Sequence, residues 1–326
     1  MGLPPAVELL VSLVLLAAGA EVLVRGAVTI ARRAGLSSFF VGLTIVGIGT
    51  SSPELAATLR AALDGRDAIG VGNVLGSNVM NIALVLGLTA LIRPIPVKLA
   101  QVRGEIWIAI LCALVPFVAL LTDGRIDRVT GGVLVAGFVV FLVRGYLRGR
   151  SEAGQDEALR ELLDDPPVPA PKARLPLAIG LGMIVVGLGV LVWSSGLLVD
   201  SASTIARDFG VSELVIGVTV VAFGTSAPEL VTSLVAAFRG ESDVAVGNVL
   251  GSNIANVLLI LGTTSIVRAQ EVPDDALRID TPVLLVVSLA LLPLVRTGSR
   301  LSRLEGALLL IGYSVYVAFR VWPSGS

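Results

Sequence analysis

The 326-residue chain contains no histidine and one cysteine, Cys112. Without imidazole, the commonest general base and the commonest ligand for zinc, copper or iron are missing, which excludes chemistry on borderline or soft metals. A lone cysteine cannot close a disulfide within the chain, and its place in an apolar run makes it a packing residue. Charge is scarce as well: 15% of residues are Asp, Glu, Lys or Arg, against about 25% in an ordinary soluble domain. The 24 basic and 25 acidic residues leave a formal net charge of −1. They form no basic cluster of the kind that nucleic-acid phosphates require, so a nucleic-acid partner is excluded. The opening stretch MGLPPAVELL has no basic n-region and no small-residue cleavage site, and reads as a retained part of the first span.

What the sequence has in quantity is apolar length. Hydrophobic residues make up 55% of it, with long runs from Ala6 to Val24, Ile106 to Leu121, Thr130 to Val143, Leu177 to Val199 and Thr281 to Val295. Runs approaching about 20 residues are long enough to cross a bilayer, and a soluble fold of this size could not enclose so much apolar surface. Counting runs between charged or Gly/Pro punctuation predicts five spans before an acidic, proline-bearing segment and five after it. The predicted fold class is therefore an all-α membrane protein of ten transmembrane helices. A first five-helix repeat covers 1–150, a cytoplasmic linker 151–174, and a second five-helix repeat 175–326.

An offset of 175 places residues 35–87 on 210–262 without a gap, and 27 of the 53 positions are identical. GTSSPEL at 49–55 returns as GTSAPEL at 224–230, and GNVLGSN at 72–78 returns unchanged at 247–253. Gly42 and Thr44 fall on Gly217 and Thr219, and Asn81 on Asn256. An odd number of spans between the copies turns the second upside down, which predicts an inverted repeat with its site near mid-membrane where the halves meet. With both termini outside, the cytoplasmic segments hold 16 of the 24 Lys and Arg residues, the bias expected of a multi-pass protein of the cell membrane.

Glu54 and Glu229 lie deep in the second and seventh spans, where an unpaired carboxylate costs several kcal/mol. No basic residue occupies the centre of any span, so protons or a bound cation must compensate them. Pro53 and Pro228 precede the two glutamates. A proline inside a helix donates no hydrogen bond to the carbonyl four residues back, here that of Gly49 or Gly224. The helices are expected to break there, with residues 49–52 and 224–227 presenting backbone oxygens beside the hydroxyls of Thr50, Ser51, Thr225 and Ser226, an arrangement tolerated where it lines a cavity. Ser77 and Asn81 are four apart and share a helix face, as do Ser252 and Asn256. The Gly72/Gly76 and Gly247/Gly251 pairs have the spacing that lets helices approach closely, and Asn73, Asn78, Asn248 and Asn253 are candidate interhelical hydrogen-bond partners. The donors are carboxylate, hydroxyl, amide and carbonyl oxygens. That set suits a hard cation: two glutamates balance one Ca²⁺, whose loose six- to eight-oxygen shell fits better than the tight octahedron of Mg²⁺. Na⁺ accepts the same donors and would compete.

GTSSPEL with GNVLGSNVMN, and GTSAPEL with GNVLGSNIAN, resemble the two alpha-repeats of the sodium/calcium exchangers of the cation/calcium exchanger superfamily. The resemblance implies a ten-helix fold whose second, third, seventh and eighth helices form the ion core, while long first and sixth helices slide against it. It implies a central Ca²⁺ site at Glu54 and Glu229 with oxygens of Thr50 and Thr225. Flanking Na⁺ sites would use Ser51, Ser77, Ser226, Ser252 and the carbonyls of Gly47 and Ala222, with Asn81 and Asn256 lining the site. The position of Asn256 is often aspartate in that family, and asparagine here removes a titratable group. The expected function is a secondary antiporter taking Na⁺ in and Ca²⁺ out, with a Ca²⁺/H⁺ exchanger as the alternative. One enclosed cluster does not give a channel its several weak sites in file, and no intramembrane hydrolase motif is present, so the chain is not expected to be an enzyme. Nothing implies a cofactor or a protein partner beyond the transported ions and the lipid bilayer.

Overall fold

Helix follows helix along the chain, as the apolar runs require. The structure, a computed structural model, describes residues 4–97, 99–162, 176–210, 220, 222–296 and 299–321. Helix α1 (Pro5–Ala34) starts on a proline whose missing N–H costs nothing in a first turn, and it stops at Gly35, left-handed at φ 61°. After it come α2 (Ser38–Thr50), α3 (Ser52–Leu63), α4 (Asp67–Ile92), α5 (Leu99–Leu121) and α6 (Arg128–Leu162). The second half holds α7 (Leu177–Asp208), α8 (Ala222–Thr225), α9 (Ala227–Phe238), α10 (Ser242–Val267), α11 (Ala276–Arg296) and α12 (Arg303–Val321).

At 30 and 32 residues, α1 and α7 are about 45 Å long, well beyond the roughly 30 Å of hydrocarbon, and must tilt to fit. They lie along each other at backbone contact. A Cβ added to Gly187 would sit 2.7 Å from the Leu23 nitrogen and 2.9 Å from the Gly19 oxygen. In lipid, where helices gain little from hydrophobic burial, such close approach is what drives association.

The centre is α10 and α4, whose apolar stretches are 89% and 72% buried against 44% or less for the other spans. Gly247 and Gly251 of α10 press on α2: a Cβ there would meet the Phe39 oxygen at 2.5 Å and the Leu43 oxygen at 2.0 Å. Short π-helical turns at 42–46, 81–86 and 256–261 loosen these core helices locally. Around them, Leu10, Val14, Leu111, Val133, Val140, Val185, Leu308 and Ile311 point outward, an apolar girdle that only lipid tolerates.

Two ribbons of two residues per strand stitch the halves together. Ile95–Pro96 (β1) pairs antiparallel with Arg300–Leu301 (β4), and Arg125–Ile126 (β2) with Gln270–Glu271 (β3). Adding 175 to Ile95 gives Gln270, and adding it to Ile126 gives Leu301, so each ribbon is the other's image under the repeat.

Among the described residues, seven helices are long and apolar enough to span, eight with the bent α2–α3 pair, against the ten predicted. The shortfall has two causes. Helix α9 has 12 residues, and residues 211–219 before it, with Gly217 and Thr219, lie outside the described residues. Helix α12 carries Arg303, Glu305 and Arg320 within 19 residues. The first part of the predicted linker is helix, since α6 runs on to Leu162; residues 163–174 lie outside the described residues.

Candidate functional site

The prolines act where expected. Helix α2 ends at Thr50, Ser51 leaves helical geometry at φ −79°, ψ 9°, and α3 restarts at Ser52 with its axis turned by 44°. In the second half α8 ends at Thr225, Ser226 sits at φ −90°, ψ 5°, and α9 starts at Ala227. Each break leaves a glutamate in the first turn of a helix, where the dipole favours its carboxylate. Each also ends a short helix whose carbonyls face the other way, the negative end that suits a cation.

The two glutamates are buried, Glu54 at 1% exposure and Glu229 at 0%, and each is bonded to the other half. The Ser226 hydroxyl donates to Glu54 Oε1 at 3.0 Å, and the Ser51 hydroxyl donates to Glu229 Oε1 at 3.0 Å. Ser226 Oγ also lies 3.3 Å from Ser77 Oγ. Ser252 Oγ donates to the Gly47 carbonyl at 3.0 Å and lies 3.5 Å from Glu229 Oε1. Thr50 Oγ1 donates to Asn248 Oδ1 at 3.0 Å and lies 3.4 Å from Ser252 Oγ. Of the predicted residues, this network gathers Glu54, Glu229, Thr50, Ser51, Ser77, Ser226, Ser252 and Gly47.

Four predicted residues stand differently. Thr225 is half-buried and bonds within its own turn, to the Ala222 oxygen at 3.1 Å, whereas Thr50 is fully buried. Asn81 and Asn256 are both at 0% exposure. Asn256 Nδ2 donates to Asn78 Oδ1 at 2.9 Å, while neither polar atom of the Asn81 side chain has a hydrogen-bond partner among the described residues.

The carbonyls freed by the prolines are not left facing the site. The Gly49 oxygen accepts the Ser52 hydroxyl at 2.7 Å, and the Gly224 oxygen accepts the Ser195 hydroxyl at 2.5 Å. Sequence reasoning missed Ser195; its signal was a Ser-Ser pair inside an otherwise apolar span. It also missed Thr58 and Ser233. Asn73 Nδ2 donates to Thr58 Oγ1 at 3.0 Å and to the Glu54 carbonyl at 3.4 Å, and Asn248 Nδ2 to Ser233 Oγ at 3.0 Å and to the Glu229 carbonyl at 3.2 Å. Asn78 and Asn253 donate to each other's backbone oxygens at 3.0 and 3.2 Å across the repeat boundary.

Glu54 Oε2 and Glu229 Oε2 are buried without a hydrogen-bond partner among the described residues. An acceptor left so in a low-dielectric interior is costly unless a cation or proton meets it. No group of three or more His, Cys, Asp or Glu forms among the described residues. Two acids amid hydroxyls, amides and carbonyls form a hard, oxygen-only set.

The family model for sodium/calcium exchanger proteins matches residues 5–147 and 179–322. CaxA of Alkalimonas amylolytica is 40% identical over 312 residues, covering 94% of this chain and 95% of CaxA. The inner membrane protein YrbG of Escherichia coli is 35% identical over 323 residues, 97% of this chain and 96% of its own. The sodium/calcium exchanger MaX1 of Methanosarcina acetivorans is 31% identical over 340 residues, 96% of each chain. Among solved structures, the sodium-calcium exchanger NCX_Mj soaked with Na⁺ and Ca²⁺ superposes with a TM-score of 0.79 at 33% identity, covering 98% of both chains.

Proposed function

The chain belongs to the sodium/calcium exchanger family, and from that premise we propose that it takes several Na⁺ inward in return for one Ca²⁺ moved outward across the cell membrane. The observation that carries the reading is the crosswise pair. Each buried glutamate is bonded to a serine of the other half, and its second oxygen has no hydrogen-bond partner among the described residues. Two such oxygens balance one divalent cation.

In this reading Glu54, Glu229, Thr50 and Thr225 hold Ca²⁺. Ser51, Ser77, Ser226, Ser252 and the carbonyls of Gly47 and Ala222 hold Na⁺, and Asn81 and Asn256 line the site. Because Ser51, Ser226 and Ser252 also contact the acids, binding of Na⁺ and binding of Ca²⁺ exclude each other, so Na⁺ entry accompanies Ca²⁺ release. If net positive charge enters with Na⁺, a potential of about 100 mV adds roughly 2.3 kcal/mol per charge to Ca²⁺ extrusion.

The same reading takes ten transmembrane helices as two inverted repeats, 1–150 and 175–326, with both termini outside. The two stretches matched by the family model and the ribbons related by the repeat support it. A Na⁺-loaded proteoliposome diluted into sodium-free buffer should accumulate Ca²⁺. Uptake indifferent to the sodium gradient but driven by a pH gradient would replace Na⁺ by H⁺ as the counter-ion.

A further inference from the structure

The two halves share their motif letters but not the way the long helices seal the two helix breaks. Ser195 of α7 falls, at the 175-residue offset, on Ala20 of α1, and Ala227 falls on Ser52. The two exchanges are complementary. The Gly49 carbonyl is capped from its own turn by Ser52. Ala227 has no hydroxyl to do the same for the Gly224 carbonyl, which Ser195 caps from a different helix.

We infer that Ser195 is a positioning residue for exchange: its hydrogen bond to the Gly224 carbonyl ties α7 to the broken helix of the second half and stabilises this arrangement of the molecule over its repeat-related opposite.

Three observations make the tie conformation-dependent. Helix α7 lies against both breaks: a Cβ on Gly224 would collide with Val199, and one on Gly49 would come within 2.6 Å of Leu188. Ala227 is 2% exposed and packs in one cluster with Leu16, Ala20, Leu23 and Val24 of α1, whereas its counterpart Ser52 is exposed. The equivalent threonines differ likewise, Thr50 being fully buried and Thr225 half-buried. Halves of like sequence held in unlike surroundings define a second arrangement of comparable energy, in which the roles of α1 and α7 are exchanged. There Ala20 would stand by Gly49, which needs no outside donor because Ser52 serves it in either arrangement. The Gly224 carbonyl would lose Ser195 and stand bare beside Glu229. Only one of the two arrangements gains this bond, so removing it changes their ratio.

The inference rests on the exchanger reading, and the test separates the two. In proteoliposomes of one orientation, the half-saturating Ca²⁺ concentration is measured from each side of the membrane. Apparent affinity on a face scales with the fraction of molecules open to it, so the ratio of the two values follows the equilibrium between arrangements. Ser195→Ala should shift that ratio by about 3- to 10-fold, the effect of one net hydrogen bond. Ser195→Thr should leave it unchanged, and adding Ala227→Ser to Ser195→Ala should not restore it, because a cap from its own turn, like that of Ser52, serves both arrangements equally. A merely structural serine would lower the amount of folded protein or the maximal rate and leave the ratio alone. An unchanged ratio in Ser195→Ala, or a return to the wild-type ratio on adding Ala227→Ser, overturns the inference. If Ser195→Ala carries no flux, the ratio is read in the double variant, whose local cap satisfies the carbonyl in both arrangements: a shifted ratio there supports the tie, and a wild-type ratio or no flux overturns it. Wild-type protein without sodium-dependent Ca²⁺ flux would sink the exchanger reading and this inference with it; a wild type that exchanges while the ratio stays fixed sinks the inference alone.

Discussion

Ser226 donates its hydroxyl to Glu54 across the boundary between the halves at 3.0 Å, and Ser51 returns the contact to Glu229 at the same distance. The residues in each pair are 172 and 178 positions apart, so neither half contains a site by itself. Folding one half onto the other is what creates the oxygen cluster, and any change in how the halves meet changes the cluster.

Replacing Glu54 or Glu229 by Gln keeps the shape and the hydrogen bond from serine but removes a negative charge from a site with no base to spare. Ca²⁺ flux should fall about 100-fold or more in either variant, each lost charge contact being worth roughly 3 kcal/mol. Thermal stability of the detergent-solubilised protein should hold or rise, because an unpaired buried carboxylate is costly. Wild-type flux in the double variant would remove these residues from the transport site.

Gly251→Val should be among the most damaging single changes outside the acids. Its Cβ would meet the Leu43 carbonyl at 2.0 Å, a backbone atom that cannot rotate aside, and overpacking of this kind costs about 1–3 kcal/mol or more. Gly182→Ala makes the control: that glycine is exposed on α7 with nothing within 4 Å of the added carbon. Recovery of folded protein from the membrane and its melting temperature in detergent should drop for the first and not the second.

The spans were legible because apolar length and punctuation are one-dimensional signals. The break before each glutamate was legible because proline removes a specific hydrogen bond. Where the freed carbonyls turn was not: Ser195 stands 29 residues from Gly224, and nothing local links them. The inequality of Thr50 and Thr225 was hidden for another reason. Both follow the same glycine and precede the same serine, so only the arrangement of the long helices tells them apart. The ribbons escaped because two residues per strand are too few to show an alternating pattern. The ten predicted spans exceed the helices that qualify by length and composition among the described residues, because apolar runs alone do not register the charges of α12 and because residues 211–219 lie outside the described residues.

Asp127, at the start of α6, accepts the Thr130 backbone N–H at 2.7 Å. Hydrogen bonds from the Thr130 side chain and then its backbone hold the Asp127 carboxyl below the usual aspartate range. A depressed folded-state value means the contribution to stability is present above the unfolded value, about 3.9, and is lost as pH falls through the folded one. The melting temperature of wild type should therefore exceed that of Asp127→Ala at neutral pH, and the gap should close on acidification. A gap independent of pH would point to a cap that does not depend on charge.

Asn248 and Asn73 are the same residue of the repeat, yet they should not tolerate the same substitution. The Asn248 amide donates to the Glu229 carbonyl and to Ser233, and its oxygen receives Thr50 from the other half. The Asn73 amide makes the matching pair of contacts with Glu54 and Thr58, but Thr225 bonds within its own turn to Ala222 and does not reach it. Asn248 is fully buried and Asn73 half-buried, so water can take over the orphaned partners of one and not of the other. A buried polar group stripped of its partner costs about 1–3 kcal/mol. Asn248→Leu should accordingly destabilise the protein by at least about 1 kcal/mol more than Asn73→Leu. It should also raise the half-saturating Ca²⁺ concentration further, because the Thr50 hydroxyl loses the acceptor that orients it. Chemical denaturation in detergent reads the first difference, and flux at graded Ca²⁺ reads the second. Equal effects in both assays would mean that the Thr50–Asn248 contact has no part in forming the site, and that the two halves are energetically alike despite their different surroundings.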